Sequence, residues 1–382
     1  MSTVRIHGLD TLRALAVSVV VLHHYMLFVS REPTFGWVGQ IGWVGVDLFF
    51  ALSGYLIGNQ IFKATAGGAG LSLPRFYARR FLRTLPNYWV VLALYFLWPA
   101  FRGAAPLLPA WEYLAFVQNF GLKPGTAFSH SWSLAIEEQF YVLLPALALF
   151  GAWLRKSIAL AWLAIALAFI AGMVARAWLW HEVVADDPYG MRNYYQYIYY
   201  STLCRCDELL AGVALALLKN RHPQAWAALT RRGNLLGGLG VVVSACAFWW
   251  FLDDRYGAWQ TVLGYPLLAL GFALLIVAAL APGALLHQAR VPGAASLALW
   301  SYAIYLMHRP VSVMGARWMT EQGFGPESLA GIVSSLLLSV LTGWLLYRLV
   351  ETPFMRLRER YVPSHAKPAP VEGASQALVE RT

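Results

Sequence analysis

The sequence predicts an all-α integral membrane protein of about ten transmembrane helices with both termini cytoplasmic. Three observations predict it. Of the 382 residues, 59% are hydrophobic and only 13% charged, with a mean hydropathy of +0.54; a soluble core of this length needs more charge to cover its surface. Apolar runs of about 20 residues, enough to span a hydrocarbon core, recur ten times. Lysine and arginine concentrate in alternate connections between those runs.

The runs cover residues 9 to 28, 40 to 62, 85 to 101, 131 to 152, 157 to 180, 199 to 218, 234 to 252, 262 to 282, 294 to 316 and 328 to 350. The first follows a few polar residues without a small-residue cleavage site, so a retained helix is expected in place of a signal peptide. The third is short, and the apolar stretch from Trp111 to Phe120 is expected to support it as a partly immersed hairpin or interfacial helix. Nineteen Lys and Arg fall in the connections assigned to the cytoplasm and six in the opposite set, while Arg13, Arg176, Arg205 and Arg309 lie within runs or at their edges. A missed helix would invert every later connection and spoil this bias, so it supports an even count. The net charge of +10 thereby reads as a topology signal, and no nucleic-acid partner is expected. No connection is long enough for a soluble domain. Residues 1 to 360 read as one transmembrane domain and 361 to 382, rich in Pro, Ala and Ser, as a disordered cytoplasmic tail. Cys204, Cys206 and Cys246 show no metal-ligand spacing and read as small buried hydrophobes, so no metal is expected.

Ionisable residues inside spanning helices are costly and therefore mark candidate sites. In the first run Arg13 and His24 stand eleven residues apart, about three turns and roughly 16 Å of rise, on one face that is expected to line one cavity. The structural alternative has Arg13 snorkelling to the interface and His24 bonded to a neighbouring carbonyl. Asp47 interrupts the second run among glycines that permit close packing. Arg75, Arg79 and Arg83 follow at steps of four with Arg80 beside them, a basic helical face that suits either lipid headgroups or a phosphate-bearing ligand. At the start of the fourth run, Ser133 and Glu137 share a face and Glu138 is turned about 100° away. Two adjacent carboxylates entering a membrane each need a partner or a proton, which favours function over packing. The sixth run opens with Arg205, Asp207 and Glu208, where an internal ion pair is expected, and His308 precedes Pro310 in a ninth run expected to kink.

In this order the segments resemble the integral-membrane acyltransferase family 3, which includes bacterial O-antigen and exopolysaccharide O-acetyltransferases. The resemblance runs from Gly8 to about Arg358. It is carried by Arg13 with His24 after ten intervening residues, Gly45-Val46-Asp47-Leu48-Phe49-Phe50 with Ser53-Gly54, and Phe76-Tyr77-x-Arg79-Arg80-x-x-Arg83-x-x-Pro86. It continues with Trp132-Ser133-Leu134-x-x-Glu137-Glu138-Gln139-Phe140-Tyr141, Arg205-x-Asp207 with Gly212, Ser301-Tyr302 through His308-x-Pro310, and Glu351-x-Pro353-Phe354. Thr352 stands where a basic residue is common, Arg309 where an aromatic is frequent, and His23 beside His24 is read as a bystander.

The resemblance implies transfer of an acyl group, acetyl first, from cytoplasmic acyl-CoA to a hydroxyl of a cell-envelope glycan or glycolipid such as lipopolysaccharide. It implies a multi-pass protein of the bacterial inner membrane without a tightly bound cofactor. Arg79, Arg80 and Arg83, with Arg13, are expected to hold the CoA phosphates. His24 is expected to act as general base on the acceptor hydroxyl or as transient acyl carrier. Glu137 or Glu138, Glu137 first, would orient its imidazole, while Asp47, Ser133, Asp207 and His308 supply polar contacts. The carboxy-terminal esterase-like domain of longer relatives is not in the sequence, so a separate periplasmic partner protein is expected to complete delivery. The reading from another class is a proton-coupled secondary transporter, which the lack of an internal repeat disfavours.

Overall fold

The computed structural model describes residues 5 to 66, 71 to 153 and 157 to 363. It is helical, with no strand among the described residues, as backbone in a hydrocarbon solvent must be when every N–H and C=O has to find its partner within the protein. A helix forms in each of the ten apolar runs, although in the sixth it starts only at Asp207, after the short turns Tyr194–Tyr199 and Leu203–Arg205. The helices are α1 (His7–Tyr25), α2 (Val44–Ala66), α3 (Leu73–Leu97), α4 (Trp132–Trp153), α5 (Ile158–Val183), α6 (Asp207–Arg221), α7 (Gly233–Asp253), α8 (Tyr265–Leu280), α9 (Ala294–Glu321) and α10 (Leu329–Leu346), and a shorter α11 (Thr352–Tyr361) follows.

Among the described residues, seven segments are long and apolar enough to cross a bilayer. The helices outside that set are α3, α6 and α9. α3 carries the arginine cluster, α9 bears His308 and Arg309 in mid-helix, and α6, which starts on Asp207-Glu208, is only 15 residues long. The helices that are polar by membrane standards thus carry candidate site residues.

Several expectations are corrected. The third run is not short: α3 is 25 residues long and passes unbroken through Pro86, so the arginine cluster and the third run lie on one helix. The stretch from Trp111 to Phe120 forms only the short helix Ala110–Leu114; it buries Tyr113, Gln118 and Asn119 and leaves Trp111, Leu114 and Phe120 exposed. Cys204 is buried whereas Cys246 is exposed. Of the tail read from 361, residues 364 to 382 lie outside those described, as do Arg155, Lys156, Lys367 and Arg381 of the charge count.

The centre of the fold is the seam between α2 and α6. A Cβ on Gly54 would collide with the Leu209 carbonyl oxygen, and one on Gly212 with that of Ala51, so the two backbones touch where side chains would otherwise separate them. This is the small-residue packing that joins helices without a hydrophobic driving force. Two buried ion pairs lock the same region. Arg205 donates to Asp47, and Arg176 of α5 donates to Asp207 through both terminal nitrogens, one at 3.0 Å. All four side chains are fully buried. Asp207 therefore pairs with α5 and not with Arg205 inside its own segment, as the sequence had led us to expect.

Candidate active site

Polar side chains of α1, α2, α3, α4 and α9 enclose a cavity of about 310 Å³. Ser133, Glu137 and Tyr141 reach it together because steps of four keep them on one face of α4. Glu137 accepts hydrogen bonds from Ser53 Oγ at 3.1 Å and Tyr141 OH at 3.0 Å. Arg80 lies over the Tyr141 ring, 3.1 Å from its centroid, with Nη2 3.7 Å from Glu138 Oε1. Arg13 and Arg83 line the same cavity and make no hydrogen bond or ion pair among the described residues. Three guanidinium groups thus face two carboxylates, one of them held by neutral hydroxyls. Uncompensated cations in a site of low dielectric are costly until an anion arrives, and guanidinium forks match phosphate oxygens.

His24 does not line this cavity. It belongs to a second, smaller one of about 50 Å³, lined also by His23, His130, Trp43, Tyr199 and Arg255. The two cavities share Val46 and Tyr305. Between them the Tyr305 hydroxyl donates to the His130 carbonyl at 2.7 Å and meets Ser133 Oγ at 2.7 Å. A hydrogen-bonded wall therefore divides what the shared face of Arg13 and His24 had been expected to line as one space.

The second cavity fixes the chemistry of His24. Its Nδ1 lies 2.6 Å from His308 Nε2, with the ring planes 6° apart. His308 Nδ1 in turn lies 3.1 Å from the Ile304 carbonyl oxygen, which only accepts. With both rings neutral, His308 carries its proton on Nδ1 and accepts at Nε2, so His24 donates from Nδ1 and keeps a lone pair on Nε2. Neither glutamate bonds to His24: Glu137 and Glu138 sit about 1.1 and about 1.4 turns further along α4 than Ser133, beyond the wall. His308 takes the orienting role expected of them. His130 completes a histidine trio, its ring centroid 6.1 Å from that of His24 and 5.5 Å from that of His308. Sequence reading passed over His130; its position in Ser-His-Ser, immediately before α4 carries Ser133 into the wall, was the available signal. His23 bonds the Gly39 carbonyl at 2.7 Å.

The structure brings together Arg13, Arg80, Arg83, Ser133, Glu137 and Glu138 in one cavity, and sets His24 in the other, with His308 bonded to it from outside the lining. It leaves three further candidates outside both. Asp47 and Asp207 are consumed by the ion pairs of the α2–α6 core, and Arg79 turns outward to Glu359 of α11 at 3.0 Å and to the Val362 carbonyl. The step of four that put Arg79 with Arg83 gave the right stripe, but one turn along, the helix has left the cavity.

The model of an acyltransferase domain family, acyltransferase 3, matches residues 6 to 348. The chain belongs to the acyltransferase 3 family. Relatives include the protein named putative peptidoglycan O-acetyltransferase YrhL of Bacillus subtilis, 29% identical over 91% of this chain and 54% of the relative. The peptidoglycan O-acetyltransferase OatA of Listeria monocytogenes is 32% identical over 55% of this chain and 33% of its own length. A Staphylococcus aureus protein named putative O-acetyltransferase SACOL0978 is 25% identical over 95% of this chain and 61% of the relative. The chain thus spans between one third and about three fifths of the length of these relatives. No solved structure matches it.

Proposed function

We propose that the protein is an O-acetyltransferase of the bacterial inner membrane that moves an acetyl group from acyl-CoA on the cytoplasmic side to a hydroxyl of a cell-envelope glycan. The family and the names of its relatives support the reaction class. The donor and its side rest on one observation: the arginine cavity and the His24–His308 pair are separate but adjacent, at different depths. Helices α1 to α10 all cross the bilayer in this reading, with residues 1 to 360 forming the membrane domain and both termini cytoplasmic. Arg13 then lies about 9 Å into α1 from its cytoplasmic end and His24 about 26 Å.

Arg13, Arg80 and Arg83 hold the CoA phosphates, with Glu138 fixing Arg80. The pantetheine arm reaches past Tyr305 and presents the thioester to His24. In the direct route His24 Nε2 takes the proton of the acceptor hydroxyl as its oxygen attacks the thioester carbon; the C–S bond breaks and the proton passes to the CoA thiolate. In the carrier route Nε2 itself attacks the thioester carbon and the C–S bond breaks to release CoA thiolate; the acceptor oxygen then attacks the acetyl-imidazole, the N–C bond breaks, and the hydroxyl proton passes to the thiolate. No tightly bound cofactor is required, and a periplasmic partner protein would take part in delivery.

Acetyl-CoA or CoA should raise the thermal transition of the purified protein, and Arg80→Ala should remove that shift. In cells, His24→Ala should abolish ester-linked acetyl groups on the glycan while the protein remains inserted. Retained acetylation would overturn the role of His24. The rival reading, a proton-coupled transporter, has one observation in its favour: the Glu208 carboxylate is fully buried and finds no hydrogen-bond partner on another residue. It lines neither cavity, and absence of any CoA-dependent shift is the result that would favour it.

A further inference from the structure

Two arginines on the His24 side have no anion of their own. Arg255, from the connection between α7 and α8, lines the cavity. Its guanidinium carbon lies 4.5 Å from the ring centroid of Trp43, 5.5 Å from Tyr199 and 5.7 Å from Tyr195. Its Nε is buried without a partner, and no carboxylate comes within ion-pair distance of it among the described residues. Neighbouring Asp254 is exposed and spends Oδ1 on the Tyr256 amide at 3.0 Å. Arg309 follows His308 directly. Its guanidinium carbon lies 3.9 Å from the Phe28 ring centroid and its Nη1 donates to Ser129 Oγ at 2.8 Å, and both Phe28 and Ser129 line the cavity. It too has no carboxylate within reach among the described residues.

At the α2–α6 seam the chain meets buried arginines with acids, Arg205 with Asp47 and Arg176 with Asp207. Cation–π contact with aromatic rings recovers part of the cost of a desolvated guanidinium but satisfies none of its five donors. A neutral hydroxyl ligand would leave both guanidinium groups without a counter-charge. A ligand bearing a carboxylate or phosphate would supply it, and those groups accept two parallel hydrogen bonds from a guanidinium. At about 50 Å³ the cavity admits the reacting end of a ligand and not a whole sugar.

We infer that the acceptor is an anionic glycan, carrying a carboxylate or phosphate near the reacting hydroxyl, and that Arg255 and Arg309 determine this specificity. The inference rests on reading the His24 cavity as the acceptor side. Three probes test it by tryptophan fluorescence of the purified full chain without acetyl donor: N-acetylglucosamine, N-acetylmuramic acid, which adds a carboxylate, and N-acetylglucosamine 1-phosphate. At least one charged probe should bind ten times or more tightly than the neutral one, about 1.4 kcal/mol; which one tells carboxylate from phosphate. Arg255→Gln and Arg309→Gln should each cut that preference at least threefold, and Arg255→Lys should keep part of it. Equal binding of charged and neutral probes by the wild-type protein overturns the inference, as does failure of both charged probes to bind at millimolar concentration. So does a preference that survives the double glutamine variant. Because binding needs no donor, a charge preference without acetyl transfer would refute the enzyme reading and leave the anion site standing.

Discussion

The arginines at the α2–α6 seam and those around the two cavities are equally surrounded by apolar helix, but they are treated differently. Arg205 and Arg176 are each met by an aspartate, fully buried and closed to solvent. Arg13, Arg83, Arg255 and Arg309 have no carboxylate within ion-pair distance among the described residues, and each lines a cavity or stacks on a residue that does. In a low-dielectric setting a charge left without its counter-charge is expensive to keep, whereas a matched pair costs little net free energy and fixes geometry. The paired arginines therefore belong to the architecture. The unpaired ones mark where a ligand has to supply what the chain does not.

The sharpest way to break this contrast is Asp47→Asn. It leaves Arg205 charged, buried and alone, and is expected to cost about 3–5 kcal/mol, read as loss of monodisperse, folded protein in detergent. Replacing both partners by apolar residues, Asp47→Leu with Arg205→Met, should recover most of that loss, which a role in ligand binding would not allow. Arg83→Gln is the converse: thermal stability without ligand should stay unchanged or rise, while the affinity for CoA, read from the ligand-dependent thermal shift, falls about tenfold, the worth of one charge-assisted phosphate contact. Smallest is Arg79→Ala. It removes a surface pair with Glu359, itself 48% exposed, so stability should change by less than about 1 kcal/mol and the CoA-dependent shift should not move. A large loss of CoA binding in that variant would return Arg79 to the phosphate site.

Much of this was legible in the sequence because membrane helices write their own length: each apolar run became a helix, and charges inside the runs proved to be where the cavities and ion pairs are. Arg13, Glu137 and Glu138 could be picked out for that reason, Ser133 because it shares a face with Glu137, and Arg80 and Arg83 from the helical spacing of the arginine cluster. Pairing could not. Asp47 and Arg205 are separated by more than 150 positions, and nothing local tells Asp47 that its partner is Arg205 or Asp207 that its partner is Arg176. The division of the site was equally hidden, since Tyr305 looks like any aromatic in α9 until its hydroxyl is seen between Ser133 and the His130 carbonyl. Arg255 was counted only as a charge in an outer connection; the aromatic rings that enclose it come from three separate parts of the chain.

That short span of Tyr305 and Ser133 bears on cellular energetics as well as on chemistry. In the orientation proposed above, one cavity opens towards the cytoplasm and the other towards the envelope, and an uninterrupted water file between them would short-circuit the proton-motive force across the inner membrane. A phenol and a serine hydroxyl that satisfy each other and a backbone carbonyl act as a bulkhead. Cells could then keep many copies of such a protein in the membrane while it waits for cargo, without paying in ion leakage.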